Sequence, residues 1–188
     1  MINPSDLRVV ISSSNEGLAE VMRTSLAGAG LNDTPIASTP KQLLEAFAAE
    51  EPDALISLVE SAESSDHGLT TIRFLRRWEK SPNKYIPIVG ASPRRDAPTV
   101  KAVINAGGHE YCVLPASGEM LLKKVTSAIF VGFPFIEHPT YTGPCRRRRV
   151  DPHYFGAERR TNWTAPTANR QEQEDRANKM LIQKKAAS

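Results

Sequence analysis

Between residues 7 and 130 the chain alternates between two hydrophobic periods. Leu7–Ser12 is a short, mostly β-branched run and predicts a strand. Glu16–Ala29 places Leu18, Val21, Met22, Ser25 and Leu26 at helical spacing, and Gly28 and Gly30 close it. Thr34–Ala37 reads as a second strand. Thr39-Pro40 supplies the cap and first-turn proline of a helix whose buried stripe is Leu43, Leu44 and Phe47. The alternation continues with a strand at Ala54–Val59, then a helix at Leu69–Trp78 with Ile72, Leu75 and Trp78 on one face. Ile86–Ala91 and Tyr111–Leu114 are further strands, separated by a helix at Ala97–Ala106 that ends on Gly107-Gly108. Ser117 caps a last helix running through Phe130. Five strand–helix units in series predict an α/β fold, with a five-stranded parallel sheet doubly wound by helices on both faces.

Beyond Phe130 the periodicity stops. Val131–Ile136 is apolar but interrupted by Gly132 and Pro134, and reads as a segment packed back on the domain. Pro139–Pro166 holds four prolines, two glycines and six arginines with no period, which predicts an extended or disordered stretch. Gln171–Ala187 is strongly helix-forming, with a thin apolar stripe of Ala177, Met180 and Leu181. The expected organisation is therefore a domain at 1–138, an arginine-rich segment at 139–170 and a C-terminal helix at 171–188.

Charge sharpens that division. Residues 1–138 carry 13 Lys and Arg against 16 Asp and Glu, a net of −3, whereas residues 139–188 carry 11 against 5, a net of +6. A mildly acidic body with a basic tail points to an anionic partner for the tail. No run reaches the roughly 18 apolar residues of a membrane span, and the N-terminus lacks a secretory pattern. The two cysteines, Cys112 and Cys145, have neither metal nor disulfide-framework spacing, so a reducing cytoplasm is the expected setting. Cys145 abuts four arginines and is a candidate reactive thiol. The four histidines are dispersed and suggest no metal site, and no cofactor is implied.

Four local signatures resemble the CheY-like receiver domains of two-component signalling. Arg8–Asn15 resembles the first strand with its acidic pair, and Pro52–Leu58 the approach to the phospho-accepting aspartate. Ile86–Ser92 resembles the fourth strand ending in Ser or Thr, and Ala106–Pro115 the fifth strand ending in Lys-Pro. The resemblance implies the flavodoxin-like receiver fold. It also implies that Ser13 and Ser14 stand where the metal-binding acids would be, Leu58 at the nucleophile and Leu114 at the charge-balancing lysine. Ser92 and Pro115 keep the pattern. Mg²⁺ needs hard oxygen ligands, so these replacements predict a degenerate, metal-free, phosphorylation-independent pocket. Asp53, Glu60 and Glu63 are the nearby acids, with Glu60 the best-placed substitute.

The basic segment is patterned. Tyr141-Thr-Gly-Pro-Cys-Arg146-Arg147 and Tyr154-Phe-Gly-Ala-Glu-Arg159-Arg160 share Tyr-x-Gly-x-x-Arg-Arg, with Arg148, Arg149 and Asp151 between them. Tyrosines offer stacking faces, and guanidinium forks pair with phosphates or with the O6/N7 edge of guanine. Trp163 is a further stacking candidate. This tail on a receiver-like body resembles the CheY-like effectors of cyclic di-GMP. The implied role is a non-catalytic signalling adaptor whose tail binds that nucleotide. Its protein partner would dock on the fourth helix, fifth strand and fifth helix, around Ala97–Ala106, Tyr111–Leu114 and Ser117–Phe130. RNA or DNA phosphates, or an acidic protein groove in an assembly, suit the same tail; a membrane role does not, because no hydrophobic anchor accompanies the charges.

Overall fold

The computed structural model describes residues 3–130 and 134–146. The sheet is built from short, mainly apolar runs: β1 (Val9–Ser12), β2 (Ile36–Ala37), β3 (Ala54–Leu58), β4 (Ile88–Ser92) and β5 (Glu110–Val113), the last opening on Glu110. They pair in parallel in the order β2-β1-β3-β4-β5, the doubly wound order with its switch point between β1 and β3. Register follows the pleat, with Ser12 opposite Ser57, Leu58 opposite Ala91 and Ser92 opposite Val113.

The helices are α1 (Glu16–Gly28), α2 (Pro40–Ala49), α3 (His67–Arg77), α4 (Ala97–Ala106) and α5 (Gly118–Phe130). Their starts are chemically marked. Asn15, Thr39, Asp66 and Asp96 each accept a backbone N–H of the first turn, and Thr39 with Gln42 closes a capping box. Alternation along the strands divides the core in two. Val9, Ile11, Ile56 and Leu58 face α1 and α5 with Met22, Leu26, Leu121 and Val125. Val10, Leu55 and Ile88 face the other helices with Phe47, Leu69, Ile72 and Leu75.

Three apolar side chains expected inside helix stripes lie further out. Val21 is 61% exposed, because α1 buries Ala19, Met22 and Leu26 instead. Leu44 is half-buried. Trp78 is 38% exposed, stacked on Phe74 at 4.8 Å between ring centroids. Leu44, Phe74 and Trp78 line an open apolar groove between α2 and α3.

The larger difference lies past α5. Phe135–His138 and Tyr141–Pro144 form an antiparallel hairpin, β6 and β7, where the sequence reads as a packed-back segment and an extended tail. The hairpin spans both sides of the expected boundary at 138/139. It folds because it has something to cover. Arg76, fully buried at the end of α3, donates to the carbonyls of Gly107 (3.0 Å), Lys84 (2.6 Å) and Ile86 (2.8 Å), and Phe135 lies over its guanidinium at 5.4 Å. Around this seat Lys84 pairs with Glu137 at 2.8 Å, the Tyr85 hydroxyl donates to Glu137, and Arg77 donates to the carbonyl of Thr140. The Lys84 and Tyr85 hydrogen bonds hold the Glu137 carboxyl below its usual range.

Two glycines permit the close approach. Gly107 has φ +112° and ends α4; Gly143 has φ +155°, and a Cβ on it would stand 2.8 Å from the Gly107 Cα. Gly143→Ala is therefore expected to lift the hairpin and cost about 1–3 kcal/mol, as overpacked sites do, measured by urea denaturation of the full chain.

Candidate functional site

The C-terminal ends of β1, β3, β4 and β5 share one edge of the sheet, because all four strands run the same way. Ser13, Leu58, Ser92 and Leu114 meet there. Leu58 is 3% exposed and Leu114 6%, and both belong to the apolar cluster packed on α1 and α5. Ser13 is buried, and its hydroxyl donates to the carbonyl of Asn15 while accepting that residue's N–H, both at 2.9 Å. Ser14 is exposed. The Ser92 hydroxyl accepts the Arg94 N–H at 3.2 Å. Each of these side chains shapes a strand end.

The first turn of α3 seals this edge. A Cβ on Gly68 would stand 1.8 Å from the Leu58 carbonyl oxygen, so the helix lies directly on the end of β3. The Ser57 hydroxyl donates to the carbonyl of Gly68 at 2.9 Å, and Ser12 reaches Thr71 at 3.4 Å and the His67 ring at 3.5 Å. Of the acids expected beside this edge, Asp53 precedes β3 and so lies at the other end of the strand, where it accepts the Arg8 N–H at 2.8 Å. Asp66 accepts the N–H groups of Glu60, Ser61 and Leu69, and Glu60 and Glu63 are exposed. Among the described residues no group of three His, Cys, Asp or Glu side chains could hold a metal ion.

Beside this edge, Asp96 caps α4. It accepts the Thr99 N–H at 2.9 Å, the Arg94 Nε–H at 2.8 Å and the Thr99 hydroxyl at 2.8 Å. These bonds, that from the Thr99 backbone foremost, hold its carboxyl down at about 2. The Tyr111 hydroxyl donates to the carbonyl of Arg94 at 2.6 Å, tying β5 to the same loop.

The sheet order and the five helices recur in solved structures. A protein described as a response regulator from Chloroflexus aurantiacus J-10-fl superposes with a TM-score of 0.54 at 24% identity, covering 65% of this chain and 96% of that one. The chemotaxis protein CheY4 of Vibrio cholerae gives 0.54 at 19% identity, covering 65% and 98%. The signal receiver domain of a signal transduction histidine kinase from Syntrophus aciditrophicus gives 0.51 at 19%, covering 65% and 89%. The fold is that of a receiver domain. No family model matches the chain, and no curated protein does. Ser13, Ser14 and Leu58 at this edge carry no carboxylate, so these residues do not fit Mg²⁺.

At the opposite end of the receiver sheet lies the start of the arginine segment. Tyr141 is buried, and its hydroxyl donates to the carbonyl of Pro144 at 2.6 Å, so the ring is part of the hairpin and not a free stacking face. Arg146 is exposed, its guanidinium 4.5 Å from the Tyr141 centroid and 2.8 Å from Asn105 Oδ1. Cys145 is 7% exposed, and its N–H donates to the carbonyl of Pro134. The thiol expected to be reactive is therefore packed inside. Arg147, Arg148, Arg149, Asp151, Tyr154, Arg159, Arg160 and Trp163, with the expected C-terminal helix, lie outside the described residues.

On the expected docking face, Met120 and Phe130 of α5 are exposed, while the hairpin meets the last turn of α4. Among the described residues no helix is long and apolar enough to cross a membrane. The sequence reading missed Ser12, Ser57 and Gly68, which seal the strand-end edge, and Arg76 and Asn105, which seat the tail. Arg76 had a signal, standing four residues after Ile72 and seven after Leu69 on the apolar stripe of α3.

Leu58→Ala is expected to cost about 2–5 kcal/mol, as for other buried leucines, measured by chemical denaturation with and without Mg²⁺. The Asp96 cap gives a pH dependence. Its folded value lies below the ordinary 3.8, so its contribution is complete above that value and is lost as pH falls towards about 2. Carboxyl NMR titration should place its midpoint near the lower figure, and Asp96→Asn should remove this acid-side loss.

Proposed function

We propose that the protein is a non-catalytic signalling adaptor: a phosphorylation-independent pseudo-receiver whose arginine-rich extension binds an anionic ligand to control docking on a protein partner. The observation that carries the first half is the pair of buried leucines, Leu58 and Leu114, at the strand-end edge. A nucleophile and a balancing cation are what phosphoryl transfer to such an edge requires, and neither side chain supplies one. A rigid α/β body then serves as a binding surface, with α4, β5 and α5 as the docking face.

The Tyr-x-Gly-x-x-Arg-Arg repeat supports the second half. The ligand we assign is cyclic di-GMP, which carries two phosphates, two guanine edges and flat faces suited to a set of guanidinium forks. RNA or DNA would use the same cations through phosphates alone and lose affinity steeply with salt.

Acetyl phosphate or beryllofluoride with Mg²⁺ should leave the amide NMR spectrum unchanged; a Mg²⁺-dependent shift around Leu58 would refute the pseudo-receiver reading. Calorimetric titration of the full chain with cyclic di-GMP should show binding in the micromolar range, about −8 kcal/mol. Replacing Arg146–Arg149 by alanine should abolish it while leaving the thermal transition of the domain in place. No heat up to millimolar nucleotide, together with salt-sensitive RNA binding, would transfer the tail to nucleic acid.

A further inference from the structure

Lys84 and Tyr85 hold a carboxylate between them. Lys84 Nζ donates to Glu137 Oε2 at 2.8 Å and the Tyr85 hydroxyl donates to Oε1, so each oxygen has its own donor. Both donors are kept in place by contacts that do not involve Glu137. They follow one another in the loop between α3 and β4, which Arg76 ties down through the carbonyls of Lys84 and Ile86. Asn83 accepts the Tyr85 N–H at 2.9 Å on its side-chain oxygen and donates from its amide nitrogen to Glu51 at 2.8 Å. The Tyr85 ring stands edge-on to Phe135 with centroids 4.8 Å apart, and Lys84 Nζ lies 5.1 Å from the Tyr85 centroid.

The occupant is held less firmly than the seat. Glu137 lies two residues beyond Phe135 on β6, and its side chain is 47% exposed against 39% for that of Lys84. An ion pair so open to water contributes little. The hairpin is anchored elsewhere, by the buried Phe135 and Tyr141 and by the approach of Gly143 to Gly107. Glu137 can therefore turn out into solvent while the hairpin stays down. Arg77, whose guanidinium donates to the neutral carbonyl of Thr140 at 2.8 Å, adds a second positive charge to this surface.

We propose that Lys84 and Tyr85 form a docking seat for an acidic segment of a partner protein, with Glu137 as a built-in stand-in that an incoming Asp or Glu carboxylate displaces. The ligand class follows from what fills the seat now. One cation and one phenol hydroxyl, on separate oxygens, match a carboxylate in charge and in shape. Neither the arginine-rich segment nor the strand-end edge takes part. The contact is autoinhibitory: a tethered carboxylate has a high effective concentration, so an isolated acid competes poorly and a run of several acids competes well.

The test is an NMR titration of the full chain with acetylated tetraglutamate at constant ionic strength. It is read at the Tyr85 signals, so that peptide held by arginines elsewhere does not register. Glu137→Ala should bind the peptide at this point about fivefold more tightly than wild type, the gain expected when an exposed ion pair no longer competes. Glu137→Gln, which keeps the shape without the charge, should shift affinity in the same direction. Adding Lys84→Ala to Glu137→Ala should abolish the response, and acetylated tetraglutamine should give none with any form. Wild type binding as tightly as both Glu137 variants, a response that survives Lys84→Ala, or a shift that tetraglutamine reproduces would each overturn the proposal. So would loss of the hairpin's amide signals in both Glu137 variants, because Glu137 would then be an anchor of the fold and not a displaceable occupant.

Discussion

The guanidinium of Arg76 is a full charge placed inside the protein, and much of the domain's lower end is arranged around it. Removing such a group from water is tolerated only when its donors are met, and here they are. Three carbonyls, from the entry to β4 and the exit of α4, accept from it, and the Nδ1 atom of His109 lies 3.2 Å away. That nitrogen also accepts the Ile88 N–H at 3.1 Å, which fixes the neutral tautomer with the proton on Nε2. Among the described residues no carboxylate pairs with Arg76, so its charge rests on oriented dipoles. Burial lowers it to about 9, which leaves it cationic at neutral pH. Phe135 closes the remaining face, so the hairpin is the wall that keeps this charge dry.

This explains which parts of the fold were legible in the sequence. The five strand–helix units are local matters of period and cap, and Asn15, Thr39, Asp66 and Asp96 mark the helix starts one by one. The hairpin is not local. Pro134 and Pro144 read as breakers, and Phe135–His138 is too short to declare itself; its stability comes from docking on α3 and α4, more than 25 residues upstream. Val21, Leu44 and Trp78 fail for a related reason. Helical spacing places a residue on a face, but the neighbouring element decides how far that face is covered.

The candidate sites divide in the same way. The strand-end positions were legible as places, since Leu58 and Leu114 close strands that the period already marks, and both are buried there. What the period could not convey is how the edge is covered, by Ser12, Ser57 and the first turn of α3 lying against the end of β3. At the other end the tyrosine of the first motif copy reads as a ligand platform. In the fold it is the platform for its own arginine, and the residue that completes the pose, Asn105, arrives from α4 with no trace in the motif.

Helix α4 connects these two ends. Its ten residues make a rod of roughly 15 Å, moored at the leading end by the Asp96 cap and at the trailing end by the Gly107–Gly143 contact. Between these moorings Thr99, Val103 and Ala106 are buried, and a Cβ on Gly90 would stand 2.5 Å from Val103. The rod is keyed into the sheet along its length, so turning it about its axis would unseat the same side chains that hold it down.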